Sequence, residues 1–350
     1  MRDLLCDLIR ATLCGSDLPT ATEDEWQQCY DIALRQQVLA MVFPVVSGLS
    51  KERRPSFTLW AKWMAYAQNV ANQQGQKRAV LQTLGTWLAD EGLQTMVIKG
   101  FSLAVLYPRP ELRECGDIDI YSTVDYDMVN DVLSRHNIAV SKPDGHHVHL
   151  TVDGVRVEHH FALHNSRVRH DKQGPIEALQ RLAATGQMST QIPGIVFPNA
   201  VFTALFTAWH AHKHFVAEKI ELRHVVDWAL ALKRLTAEED AAMREAMDNT
   251  RWRRFADTLT AIALHRLKLP EEWFTRQEVE RAESIDFKLE QRVWDDIMVS
   301  PHTASGRTTM HRRLNIARRM MQNRWKYREF ADVGAGEFLW KEFMGWLREY

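Results

Sequence analysis

The chain has 350 residues, 45% of them hydrophobic and 25% charged. That excludes a disordered, collagenous or coiled-coil protein and gives a prior of two or three domains at roughly 100–200 residues each. Its 44 Lys and Arg balance 45 Asp and Glu, so no global charge draws it to nucleic acid or to a membrane surface.

The N-terminal stretch MRDLLCDLIRATLCG mixes acids and bases into its apolar pattern, which reads as an amphipathic helix rather than a signal segment. Glu23 to Leu49 carries a second helical pattern, and a long third one reaches from Pro55 to about Ala89, where Leu59, Trp60, Trp63, Met64, Ala67 and Val70 recur at three and four. Gly75 is the expected bend in it. From Gly92 the texture changes to short β-branched runs bounded by Gly, Pro or Asp: TMVIKG, GDIDIYS, HHVHLTV and VRVEHHF. Tyr126 to His136 has helical spacing between the second and third of these. Residues 171–198 read as a connector with at most a short helix. Beyond it, Val201, Leu205, Trp209, Val225, Trp228, Leu230 and Leu232 set helical faces. The pattern predicts an N-terminal helical region at 1–90, an α/β core at 91–170 and a C-terminal helical domain at 171–350. The four cysteines have no C-x-x-C spacing, and no stretch approaches the roughly 18 apolar residues of a membrane span. A soluble, cytoplasmic chain is expected.

The chemistry concentrates in Gly116-Asp117-Ile118-Asp119-Ile120. Successive side chains of a strand face opposite ways, so Asp117 and Asp119 share one face while Ile118 and Ile120 take the other. Adjacent carboxylates repel unless a cation lies between them, and hard oxygen ligands suit Mg²⁺, with Mn²⁺ as the alternative ion. A third carboxylate follows from hairpin geometry. Asp153-Gly154 between two alternating runs is a two-residue turn signal. It pairs Val152 with Val155, Leu150 with Val157 and Val148 with His159 on an apolar side. The other side pairs Thr151 with Arg156, His149 with Glu158 and His147 with His160. Spacing leaves open whether Glu158 shares the face of Asp117 and Asp119. Upstream, Lys99-Gly100-Phe101-Ser102 stands at a strand-to-helix junction, where backbone N–H groups approach phosphates.

The run I-K-G-x-x-L-A-x-x-x-Y-P-x-P-x-x-R-x-x-G-D-I-D-I, Ile98 to Ile120, resembles the uncharacterised bacterial nucleotidyltransferase family of the DNA polymerase beta-like superfamily. Glu158 in VRVEHHF matches its third acidic strand. His210, Lys213 and His214, with Leu222, Arg223, Asp227 and Trp228, resemble its C-terminal helical part. The resemblance implies an α+β fold: a polymerase-beta-like core with a small mixed sheet, flanked by helical regions. It also implies two-metal phosphoryl transfer. Asp117 and Asp119 would bridge the ions, and Glu158 would complete the site and help accept the proton of the attacking hydroxyl. Lys99, Gly100, Ser102 and Arg113 would hold the nucleotide, with His149 beside Glu158 touching nucleotide or acceptor. The implied partners are an NTP and a hydroxyl acceptor of open identity. Gly100 is followed by Phe101 where the superfamily has Gly or Ser, so a non-catalytic nucleotide-binding or interaction module of the same fold stays open.

Two further features are read as structural. His146, His147, His149, His159, His160 and His164 are split by the hairpin register across two faces, against a zinc site. His210 and His214 share a helical face and are expected as a hydrogen-bonded pair lining a cleft. The basic stretch from Arg307 to Arg328 is expected as a solvated helix face, so RNA is not a favoured partner.

Overall fold

A computed structural model describes residues 2–122, 126–143, 145–163, 173–248, 250–299 and 322–332. The N-terminal helices are α1 (Arg2–Cys14), α2 (Glu23–Arg35), α3 (Leu39–Gly48) and α4 (Phe57–Asp90). Thr22 and Glu25 cap α2 reciprocally, each accepting from the other's backbone N–H. The single stretch expected over Glu23–Leu49 is two helices, because Gln37 turns to φ +54° and stops the first.

Helix α4 runs unbroken through Gly75, its 34 residues spanning about 51 Å at ~1.5 Å per residue. Its first half buries Leu59 and Trp63 in the N-terminal helical core. Its second half lays Val80, Leu81, Leu84 and Leu88 on a sheet. Helix α4 thereby joins the two cores.

The strands are β1 (Thr95–Val97), β2 (Ile118–Tyr121), β3 (His147–Val152), β4 (Val155–His160), β5 (Gln187–Ser189) and β6 (Ile195–Pro198), in the order β3-β4-β2-β1-β6-β5. The hairpin β3–β4 has the predicted register at every pair, from Val152 opposite Val155 to His147 opposite His160. Asp153 (φ +49°) and Gly154 (φ +77°) supply the two left-handed residues that such a turn requires. Strand β4 then runs parallel to β2, and β2 antiparallel to β1.

The expected connector at 171–198 is a correction. It holds α7 (Gln173–Thr185), β5 and β6, and β6 pairs with β1 in parallel through Thr95–Ile195 and Met96–Val196. Strands of three and four residues flanked by Gly186 and Pro193-Gly194 are too short to show a period. The sheet thus extends past residue 170 to Pro198.

One sheet face carries Val97, Ile118, Ile120, Leu150 and Val157 against α4 and against Val129, Val132 and Leu133 of α6 (Tyr126–Arg135). The other face looks toward α8 (Ala200–Ala217) and α9 (Leu222–Leu232). Helices α10 (Ala237–Met247), α11 (Arg251–His265), α12 (Arg276–Glu283) and α13 (Phe287–Met298) follow, then a short helix Arg324–Phe330. No described helix is long and apolar enough to cross a membrane. Of the basic stretch, Arg307, Arg312, Arg313, Arg318 and Arg319 lie outside the described residues. Lys326 is not solvated: it is buried and donates to Asp296 Oδ2 at 2.6 Å and to the Glu218 carbonyl at 2.9 Å.

Two glycines in α4 predict opposite outcomes for one substitution. A Cβ at Gly85 would strike the Pro193 carbonyl and Ile195, where the β5–β6 turn meets the helix, whereas one at Gly75 meets nothing. Gly85→Ala is expected to destabilise by roughly 1–3 kcal/mol. Gly75→Ala should stabilise by about 0.5–1 kcal/mol, as in any exposed helix interior. Denaturant midpoints measure both, and like signs would contradict this packing.

Candidate active site

Strand β2 presents Asp119, with Asp117 two residues earlier at its mouth. The parallel β2–β4 pairing sets Asp119 directly opposite Glu158, so the third carboxylate does lie on the face of the first two. An oxygen of Asp119, one of Glu158 and a ring nitrogen of His160 lie within 4.8 Å of one another. Side-chain exposure rises from 6% at Asp119 through 16% at Glu158 to 33% at Asp117. The group is a buried floor with a wet rim.

Nearby donors answer this charge. Lys99 Nζ is 3.0 Å from Asp119 Oδ1, and His160 Nε2 is 3.0 Å from the same oxygen. Arg156 bridges the other two, Nε to Asp117 Oδ2 at 3.2 Å and Nη2 to Glu158 Oε1 at 3.3 Å. Burial pushes the Asp117 carboxyl above its ordinary value; Arg156 opposes this, and the charges of Glu158 and Asp119 add to it. Carboxylate oxygens crowded this way are a donor set that fits Mg²⁺ or Mn²⁺.

The residues expected to grip the nucleotide divide. Lys99 and Gly100 line a cavity of about 220 Å³ with Asp117, Asp119 and Glu158. Gly100 stands at φ +57°, a backbone conformation that excludes most side chains. The helix after it, α5 (Phe101–Ala104), is a single turn. Ser102 falls on its inner side, 5% exposed, with its hydroxyl buried and unpaired and apart from the cavity lining. Arg113 reaches the cavity wall but is committed elsewhere. Its Nε and Nη2 donate to Asp227 Oδ1 and Oδ2 at 2.9 and 2.7 Å, and Nη1 donates to the Gly100 carbonyl at 2.9 Å. Spacing in a motif does not say which way a side chain turns. His149 sits across from Glu158 as expected, its Nδ1 3.7 Å from Oε1 and 3.2 Å from Arg156.

Sequence reasoning passed over Arg156 and His160. The signal was present: the hairpin register puts both on the polar side with Glu158.

The roof comes from the helical region. His210 and His214 of α8 meet Nε2 to Nε2 at 3.1 Å and line the cavity, the predicted pair. Burial keeps the His210 imidazole well below its usual value, with Lys99 and His214 adding to the effect. On α9, Asp227 also accepts from the Tyr107 hydroxyl at 2.7 Å. Burial would push that carboxyl up, but the charge and hydrogen bonds of Arg113 hold it below the ordinary range.

The histidines of the hairpin divide between the two faces, as the register requires. His159 alone turns to the helix side, where it meets Ser122 Oγ at 2.7 Å and Asn130 Oδ1 at 3.0 Å. His146, His147 and His160 converge, as do His147, His149 and Glu158. His164 lies outside the described residues.

A family model described as uncharacterised nucleotidyltransferase covers residues 22–268, more than two thirds of the chain and all of the sheet. No curated protein and no solved structure matches.

Two outcomes test these environments. Asp227→Ala leaves the Arg113 guanidinium buried without its partner and is expected to cost roughly 3–5 kcal/mol, read as a lower thermal midpoint; an unchanged midpoint would show that the bridge contributes nothing. His159 is depressed to about 3, mainly by burial, while an unfolded histidine titrates near 6.5. Between those values the unfolded chain binds a proton that the native one refuses. Stability is thus lost as pH falls below about 6.5, by up to ~1.4 kcal/mol per pH unit from this residue. His146, His160, His210 and His214 are held low by burial in the same way, so unfolding free energies from pH 7.5 to 5 should fall at least that steeply, and His159→Gln should reduce the slope by one proton's share.

Proposed function

The chain belongs to the uncharacterised nucleotidyltransferase family, and on that premise we propose that it moves a nucleoside monophosphate from an NTP to a hydroxyl acceptor, with pyrophosphate leaving. The observation that carries this reading is Asp119 facing Glu158 across parallel strands with Asp117 beside them. Asp117, Asp119 and Glu158 would hold Mg²⁺ or Mn²⁺, which supplies Lewis-acid stabilisation of the charge that develops on the transferred phosphoryl group.

The protein's own groups do the rest. Lys99 and Arg156, paired with the carboxylates, are the nearest cations for the triphosphate once a metal takes over those oxygens. Gly100 offers backbone with no side chain in the way. Glu158 is the carboxylate placed to accept the proton of the attacking hydroxyl. His210 and His214 on the opposite wall suit the acceptor side, because a neutral imidazole both donates and accepts. A cavity of about 220 Å³ is smaller than the roughly 300–1,000 Å³ of ordinary ligand pockets. It suits phosphates, with base and sugar lying outside.

The test uses α-labelled NTPs, Mg²⁺ and a cell extract as the source of acceptor. Wild type is expected to release pyrophosphate and label an acceptor. Asp119→Asn and Asp117→Ala, both checked for folding, should lose about 10²–10⁴-fold, the several kcal/mol of charge stabilisation that a metal supplies. Undiminished labelling in the variants would sink the mechanism. Nucleotide binding without turnover in any extract would identify the chain as a non-catalytic relative.

A further inference from the structure

We propose that His146, His147 and His160 form a second metal site, next to the acidic one, that takes a zinc-class transition-metal ion. The inference does not rest on the nucleotidyl-transfer reading. The three rings converge: centroids lie 4.9 Å apart for His146–His147, 5.0 Å for His147–His160 and 5.2 Å for His146–His160. One ring nitrogen from each lies within 4.8 Å of the others.

A second observation points to a ligand. The Nδ1 atoms of His146 and His160 are both buried and make no hydrogen bond. A buried ring nitrogen left without a partner is costly, and an ion in the cluster would satisfy it. The tautomer of His160 agrees. Its Nε2 lies 3.0 Å from Asp119 Oδ1, and a carboxylate only accepts, so the proton sits on Nε2 and Nδ1 keeps its lone pair. Carboxylate, imidazole and metal in that order is how metal-binding histidines are oriented.

Neutral imidazole is the ligand such ions need. Nitrogen donors select Zn²⁺, Co²⁺, Ni²⁺ or Cu²⁺ over Mg²⁺, so the two sites divide by ligand hardness. Three protein ligands leave a fourth position open. Lys99 and Lys213 are near enough to oppose an added cation, whereas Glu158, 3.7 Å from His160 Nε2, and Asp119 favour it.

The experiment titrates Co²⁺ and Zn²⁺ into full-length, tag-free protein stripped with chelator. Wild type is expected to bind one equivalent of Co²⁺ with Kd below about 10 µM, giving visible d–d bands that Zn²⁺ abolishes. His146→Ala and His147→Ala should each weaken binding at least tenfold while circular dichroism is unchanged, and Asp117→Asn should bind as wild type does. Failure of wild type to bind tighter than about 100 µM overturns the proposal. So does binding that survives both histidine variants and is lost in Asp117→Asn, which would assign the ion to the acidic site.

Discussion

Like charge crowded onto one sheet face is the constraint around which this protein is arranged. Neighbouring strands stand about 4.8 Å apart, and two carboxylates at ~5 Å repel by roughly 3 kcal/mol at an effective dielectric constant of 20. Asp119 and Glu158 face each other at that spacing, with Asp117 alongside. The fold meets this with Lys99 on Asp119 and Arg156 spanning Asp117 and Glu158. Three acids have two permanent cations directly paired with them, while Arg113 and Arg223 of the same cavity are engaged with Asp227.

The roof over that face depends on a second buried charge pair. Arg113 and Asp227 are 114 residues apart in the chain and joined by two hydrogen bonds, in the fork geometry that makes Arg–carboxylate pairs specific. The same guanidinium holds the Gly100 carbonyl. One side chain thereby ties the glycine turn of the sheet to α9 of the helical region, in the wall of the cavity between them. Tyr107 adds its hydroxyl to the same carboxylate. A residue in the motif that looks like a substrate contact is here the fastening between two layers.

His160 connects the acidic face to the histidine cluster. Its Nε2 serves Asp119, while the ring packs with those of His146 and His147. Charge on either side is felt by the other through one ring. His159, the next-door residue, points through the sheet to Asn130 and Ser122 and shares none of this, as alternation along a strand requires.

Local features were legible in the sequence because their causes are local. Asp153-Gly154 supplies the turn, the period-two pattern sorts the strands, and together they define the hairpin register and the polar side bearing Arg156, Glu158 and His160. Asp117 and Asp119 share a face for the same reason, and His210 and His214 meet because four residues make about one helical turn. Non-local pairings were not legible. Which strand lies beside β4, that β5 and β6 extend the sheet, that Gly85 receives the β5–β6 turn, and that Arg113 spends its charge on Asp227 all depend on segments far apart in the chain, and nothing in the neighbourhood of either partner encodes the other. The sequence by itself determined the central strands, the hairpin and the acidic motif. Tertiary packing alone decided that Glu158 joins the aspartates, that Ser102 turns inward, and that the histidines converge, because those outcomes depend on how strands and helices are placed against one another rather than on any single stretch.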